Sequence, residues 1–234
     1  MGENYLDTIE IDGIDEAMEA NLDVDEIESA NTTVIDFIID GSGSMGDYEA
    51  KGTMHDCLEH YKNAICNSKQ SDEMLVSKTI FHSTVENGGY VKPEDFDTDY
   101  HTRGCTKLYD AIVARRKLLV DYMDQIKDNG GTPRGVMVIL SDGWDNDSIF
   151  RISDARMAIA DLKKKEIVVA FIAFGDEAKG IANDLGIDSR NVMEVSNDES
   201  SLRHVIDLVS KSAISASKRA SAGLSAADAG FFDV

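Results

Sequence analysis

Basic residues are scarce: 23 Lys and Arg stand against 44 Asp and Glu, for a formal net charge of -21. A chain of that sign is repelled by phosphate backbones and anionic lipid unless the fold concentrates a basic face. The short runs Arg115-Arg116 and Lys163 to Lys165 lie in helical patterns and make no such face. Nucleic acid and membrane are therefore not expected as partners, and the excess acid suits solubility, cation attraction or a basic protein surface. The opening MGENYLDTIE lacks the basic segment and apolar core of a secretion signal, and no apolar run approaches a membrane span, so a cytoplasmic location is expected. Cysteine is sparse as well. Cys57, Cys66 and Cys105 are odd in number and lack paired spacing, which predicts reduced thiols. Also missing are a Gly-rich phosphate loop with its Lys and a recognisable set of nucleophile, base and orienting residue.

A length of 234 residues fits one domain with modest extensions. Residues 1–30 contain no Lys or Arg, and IDEAMEA with VDEIESA carries a weak helical period. This acidic arm is either packed on the domain or a partly ordered leader. A domain over residues 31–217 follows, and residues 218–234 form a small-residue tail. TVIDFIID, GVMVILSDG and IVVAFIAFG read as buried strands, with VMEV as a short one. MLVSKTIFHS and the stretch around GGYV read as two strands joined at Asn87 to Gly89. Apolar positions at helical spacing in residues 48–68, after Leu108, in ARMAIADLKKK and from Ser201 onward predict helices. This alternation predicts an α/β fold with a mostly parallel, doubly wound sheet between two helical layers, in which ligands sit beyond the carboxyl ends of the strands.

Three places at those strand ends carry oxygen donors: Asp40, Ser42 and Ser44 in DGSGSM, Thr106 in RGCTKLYDA, and Asp142 in VILSDGWDN. Taken singly, each has an ordinary reading: a Gly/Ser turn, a helix N-cap and a turn acid. Taken together, they predict a hard-cation site for Mg²⁺, with Mn²⁺ or Ca²⁺ as alternatives, and a poor one for Zn²⁺. A cation held by hydroxyls, with carboxylates one water away, keeps charge that an anionic oxygen from a partner can neutralise. Gly41 and Gly43 are expected to let the backbone curl close to the ion.

DGSGSM, the Thr of GCT and the Asp of SDG, in this order, resemble the metal-ion-dependent adhesion site (MIDAS) of the von Willebrand factor type A domain family, over about Thr33 to Ser217. The resemblance implies a mostly parallel sheet with one short antiparallel edge strand and helices on both faces. It also implies Ser42 and Ser44 as direct ligands, Thr106 as a direct or water-mediated one, and Asp40 and Asp142 acting through water. Asn146 resembles an Asn often found shortly after the last Asp. Cys105 departs from the more usual second glycine without removing a donor.

The resulting expectation is a non-enzymatic, metal-dependent interaction module that binds an Asp or Glu of a protein partner within a larger intracellular assembly. The competing reading is a metal-dependent phosphohydrolase or phosphotransferase with Asp40 as nucleophile and Lys107 on a phosphate. It lacks the second acid it needs, because the residue two along is Ser42. Trp144 at the site rim and Phe231 with Phe232 in the tail are candidate partner-binding residues, each with an intramolecular packing alternative. His55, His60, His82, His101 and His204 share no ligand spacing and read as surface or core fillers. The acidic arm leads into the strand edge opposite the site, so a partner acid, rather than the arm, is expected to complete it.

Overall fold

The computed structural model describes residues 11, 13–196, 199–221 and 230–233. Its six-stranded sheet has the order β3-β2-β1-β4-β5-β6, from β1 (Asn31–Asp40), β2 (Met74–Phe81), β3 (Val85–Asn87), β4 (Thr132–Ser141), β5 (Val168–Phe174) and β6 (Val192–Val195). Every pairing is parallel except β2 with β3, so β3 is the short antiparallel edge strand. The strands read as continuous apolar runs because both faces are covered. On β1, Ile35, Phe37 and Ile39 face helices α3 (Thr53–Cys66) and α7 (Glu199–Ser221). Val34 and Ile38 face α4 (Leu108–Asp128), α5 (Ile152–Lys164) and α6 (Asp176–Asp184). A short helix α2 (Gly46–Ala50) precedes α3, separated from it by Gly52 at φ 69°. This is the doubly wound three-layer arrangement expected.

Several local expectations are corrected. The β2–β3 hairpin turns at residues 82–84, because Phe81 pairs with Val85, and the stretch around GGYV makes only an isolated bridge, Val76 with Val91. Gly88 and Gly89 are instead places of close approach: an added Cβ would lie 2.4 Å from the Lys78 carbonyl oxygen and 2.3 Å from that of Ala20. Arg115 and Arg116 are buried, paired with Asp36 and Asp161 respectively. Asp36 therefore interrupts the apolar face of β1 for a reason. Both its oxygens accept from Arg115 Nε (3.0 and 2.9 Å), while the guanidinium also donates to the Gly88 carbonyl and Ser77 Oγ and lies over the Tyr90 ring. This closed network ties β1, β2 and α4 together.

The arm is packed over its described part. Helix α1 (Ile14–Glu19) buries Ile14 and Ala17 against Leu118 of α4. Leu22 N–H donates to the Tyr90 carbonyl, and Tyr122 Oη donates to the Leu22 carbonyl. The arm runs alongside α4 from the N-terminal end of that helix to its C-terminal end, and at its start Ile11 shares a groove with Ser83, Val85, Lys107 and Ile149. That is the carboxyl edge of the sheet, so the expectation that the arm stays at the opposite edge is overturned. Residues 230–233 of the tail are likewise tied down. Phe231 is buried against the α3–α7 layer, its N–H donates to Asn191 Oδ1 at 2.7 Å, and half-buried Phe232 meets it edge-on. Phe231 is thus a packing residue in this conformation, not a ring offered to a partner. No helix among the described residues is long and apolar enough to cross a membrane.

Candidate metal centre

Asp40 ends β1 at the carboxyl edge and is fully buried. Its Oδ1 accepts from the Ser42 N–H (2.9 Å) and its Oδ2 from Ser141 Oγ (2.7 Å), so the carboxylate bends the chain after β1 and ties it to the end of β4. The two serine hydroxyls that follow lie 2.9 Å apart, with Ser42 buried and Ser44 exposed. A backbone that turns at Gly41 makes this possible. A Cβ there would meet Ile80 Cγ2 at 2.5 Å and the His101 carbonyl at 2.9 Å, whereas at Gly43 the nearest atom is 3.6 Å away. Gly41 is therefore required by its protein neighbours, and Gly43 is not sterically required.

The Thr106 loop lies directly over this turn. Arg103 N–H donates to the Gly41 carbonyl (2.7 Å), Gly43 N–H to the Gly104 carbonyl (3.3 Å), and Tyr100 Oη to the Asp40 carbonyl (2.7 Å). Gly104 has φ 64°, and a Cβ on it would lie 2.1 Å from Ser83 Oγ, so the one glycine retained before Thr106 is the necessary one. Cys105 in the second place is exposed. Thr106 is buried but is not an N-cap, because α4 begins at Leu108. Asn146 explains its position: Asn146 Oδ1 accepts from the Thr106 N–H (2.9 Å), and the Thr106 carbonyl accepts from the N–H groups of Asn146 and Asp147. The loop after β4 is thereby latched to the Thr106 loop, and the half-buried Asp142 accepts from the Trp144 N–H. All five sequence-predicted donors thus lie on three loops joined by hydrogen bonds at one sheet edge.

Burial pushes the Asp40 carboxyl up to about 6, against the hydrogen bonds from Ser42 and Ser141, and the charge of Asp142 adds to the rise. Among the described residues no Lys or Arg is paired with Asp40. A buried acid without a counter-charge, beneath two facing hydroxyls and beside a second acid, is a donor set that fits a hard divalent cation. Buried Asp40, Ser42 and Thr106 make the floor. Exposed Ser44, Trp144 and Asn146 make the rim, with Trp144 at 59% and Ile149 at 84% exposure.

One cluster was not anticipated. His82, Glu86 and His101 bring ligand atoms within 4.8 Å of one another, a group able to coordinate a metal ion, so these two histidines are not mere fillers. The sequence gives little sign of it, since His82 and Glu86 flank a hairpin turn and His101 arrives from the loop that leads to Thr106. Lys107, the candidate phosphate contact, lies 3.5 Å from Asp110.

The sequence matches no protein-family model and no curated protein. Solved structures do match. The pilus adhesin SpaC from Lactobacillus rhamnosus GG, in its open conformation, is similar with a TM-score of 0.62 and 13% identity, over 79% of this chain and 30% of that one. Proximal thread matrix protein 1 from the mussel byssus, with a zinc-occupied MIDAS motif, gives 0.57 and 16%, over 80% of this chain and 47% of that one. The SpRpn10 VWA domain gives 0.55 and 16%, over 75% and 94%. This chain spans less than half of the first two proteins, and none of the three is named as an enzyme. At such identities the likeness is one of fold, and the fold is that of the von Willebrand factor type A domain.

Proposed function

We propose that this chain is a divalent-cation-dependent protein-interaction module, in the cytoplasm, whose cation takes an Asp or Glu side chain from a partner. Ser42, Ser44 and Thr106 would hold the ion, with Asp40 and Asp142 behind them through water. Mg²⁺ is the favoured occupant, because it keeps water ligands and prefers oxygen; Mn²⁺ and Ca²⁺ suit the same donors. When bound, the ion supplies an electron-poor site for an anionic oxygen. The single observation that carries this reading is the pair of hydroxyls 2.9 Å apart above a fully buried acid that has no cationic partner among the described residues.

The protein's own residues do the rest. Ser141 and the Ser42 N–H orient Asp40, Asn146 fixes the Thr106 backbone, and exposed Trp144 offers an aromatic anchor beside the rim. Catalysis through Asp40 is disfavoured. A nucleophilic carboxylate of this kind needs a second acid beside it to carry protons, and the residue two along is Ser42, while Asp40 itself is fully buried. The mussel protein, similar in fold, has a zinc-occupied MIDAS motif, which supports cation binding by the motif that these residues resemble. The donors here, all oxygen, still favour a harder ion.

Capture from native lysate with and without EDTA, using wild type and Asp142→Ala, tests the proposal. Partners released by EDTA and lost in the variant are expected. Partners retained equally in all conditions would contradict it.

A further inference from the structure

The edge strand carries a second cluster with different chemistry. Glu86 Oε1 lies 3.0 Å from His82 Nε2, and Glu86 Oε2 lies 3.1 Å from His101 Nε2. Tetrahedral Zn²⁺ with ligands at about 2.0–2.2 Å sets neighbouring donors about 3.4 Å apart. These two separations are already near that value, and all three donors lie within 4.8 Å. A cationic group already occupies the place: Arg103 Nε lies 2.9 Å from His82 Nε2, and its guanidinium pairs with Glu86. His82 Nδ1 accepts from the Thr84 N–H at 3.1 Å, which leaves the proton of the neutral ring on Nε2, facing Glu86. A metal at Nε2 would move that proton to Nδ1, where the Thr84 hydroxyl, 3.4 Å away, can accept it. His82 is buried and fixed, whereas the Arg103 side chain is 61% exposed and has room to leave.

We propose that His82, Glu86 and His101 form a second metal site, for Zn²⁺ or a similar borderline ion, which Arg103 fills in the metal-free protein and leaves when the metal binds. Two imidazoles and one carboxylate suit Zn²⁺ and leave a fourth position open, whereas the first site offers only oxygen. The site also has a route to the first one. Arg103 and His101 belong to the loop that leads to Thr106, and the Arg103 N–H is bonded to the Gly41 carbonyl.

The test is Zn²⁺ titration of the full chain against a chromophoric chelator at pH 7.5, in a Ser42→Ala, Ser44→Ala background that keeps the proposed Mg²⁺ site out of the measurement. One Zn²⁺ per chain is expected. His101→Ala should weaken it more than the 10–100-fold typical of losing only an outer-shell partner. Arg103→Gln removes the resident cation and its charge-assisted bonds, so it should tighten Zn²⁺ by about tenfold or more, a gain that misfolding cannot imitate. Zn²⁺ affinity unchanged by His101→Ala, or not increased by Arg103→Gln, would overturn the proposal.

Discussion

Replacing Asp40 with Asn should stabilise the metal-free protein while abolishing its response to Mg²⁺. Burial holds the Asp40 carboxyl at about 6 in the folded chain, from an ordinary value of 3.8. At about 1.4 kcal/mol for each pH unit, ionising it at pH 8 without a cation costs about 3 kcal/mol of stability. The sign follows from proton binding. The folded state holds this proton more tightly than the unfolded state, so the contribution is largest below pH 3.8 and is lost as pH rises through about 6. Asn keeps the shape: its oxygen can take the Ser42 N–H, and its NH₂ can donate to Ser141 Oγ, which retains a lone pair for the Gly143 N–H. In EDTA at pH 8, the variant should melt about 6–12 °C above wild type, using about 2–4 °C for each kcal/mol in a domain of this size. Near pH 5 the advantage should fall to about half. Mg²⁺ at one hundred times its dissociation constant adds about 2.7 kcal/mol to wild type and closes the gap, leaving the variant unmoved. Thermal melts across pH 5–8, with EDTA or Mg²⁺, are the assay. A variant that melts at or below wild type in EDTA at pH 8, or that gains equally from Mg²⁺, would refute this reasoning.

Three further outcomes are expected. Arg115→Met leaves Asp36 buried without its partner and should cost about 3–5 kcal/mol; a denaturant midpoint unchanged from wild type would show that the network is not stabilising. Phe231→Ala should cost about 1.5–3 kcal/mol, read as a lower melting temperature, because the ring is packed against the α3–α7 layer. Trp144→Ala should leave the melting temperature within about 1–2 °C of wild type, as exposed positions do. It should weaken EDTA-sensitive partner capture, and undiminished capture would remove Trp144 from the interface.

The parallel sheet was legible because TVIDFIID, GVMVILSDG and IVVAFIAFG are apolar on both faces and are separated by helical patterns, which leaves few other ways to bury them. The three donor loops were legible for a related reason: each follows a strand or opens a helix at the same sheet edge. What escaped notice depended on pairings distant in sequence. Asp36 looked like one polar residue in a strand until Arg115, 79 positions later, met it from α4 on the same face of the sheet. Helix α6 buries only Ala178 and Ala182, so it has no large apolar stripe to read. The arm's course along α4 rests on Leu118 and on hydrogen bonds from the Tyr122 and Asn129 side chains to its carbonyls, none of which its own composition reveals. His82, Glu86 and His101 are brought together by a hairpin turn whose position the Gly88-Gly89 pair disguised.

Whether the three loops hold a cation is decided by calorimetric titration of EDTA-stripped protein with Mg²⁺, for wild type and for the Ser42→Ala, Ser44→Ala double variant. Saturable binding of one ion to wild type is expected, and none to the double variant, in which Asp40 and Asp142 remain but the two facing hydroxyls are gone. Equal heats from the two proteins, or a wild type that takes up no Mg²⁺, Mn²⁺ or Ca²⁺, would contradict it.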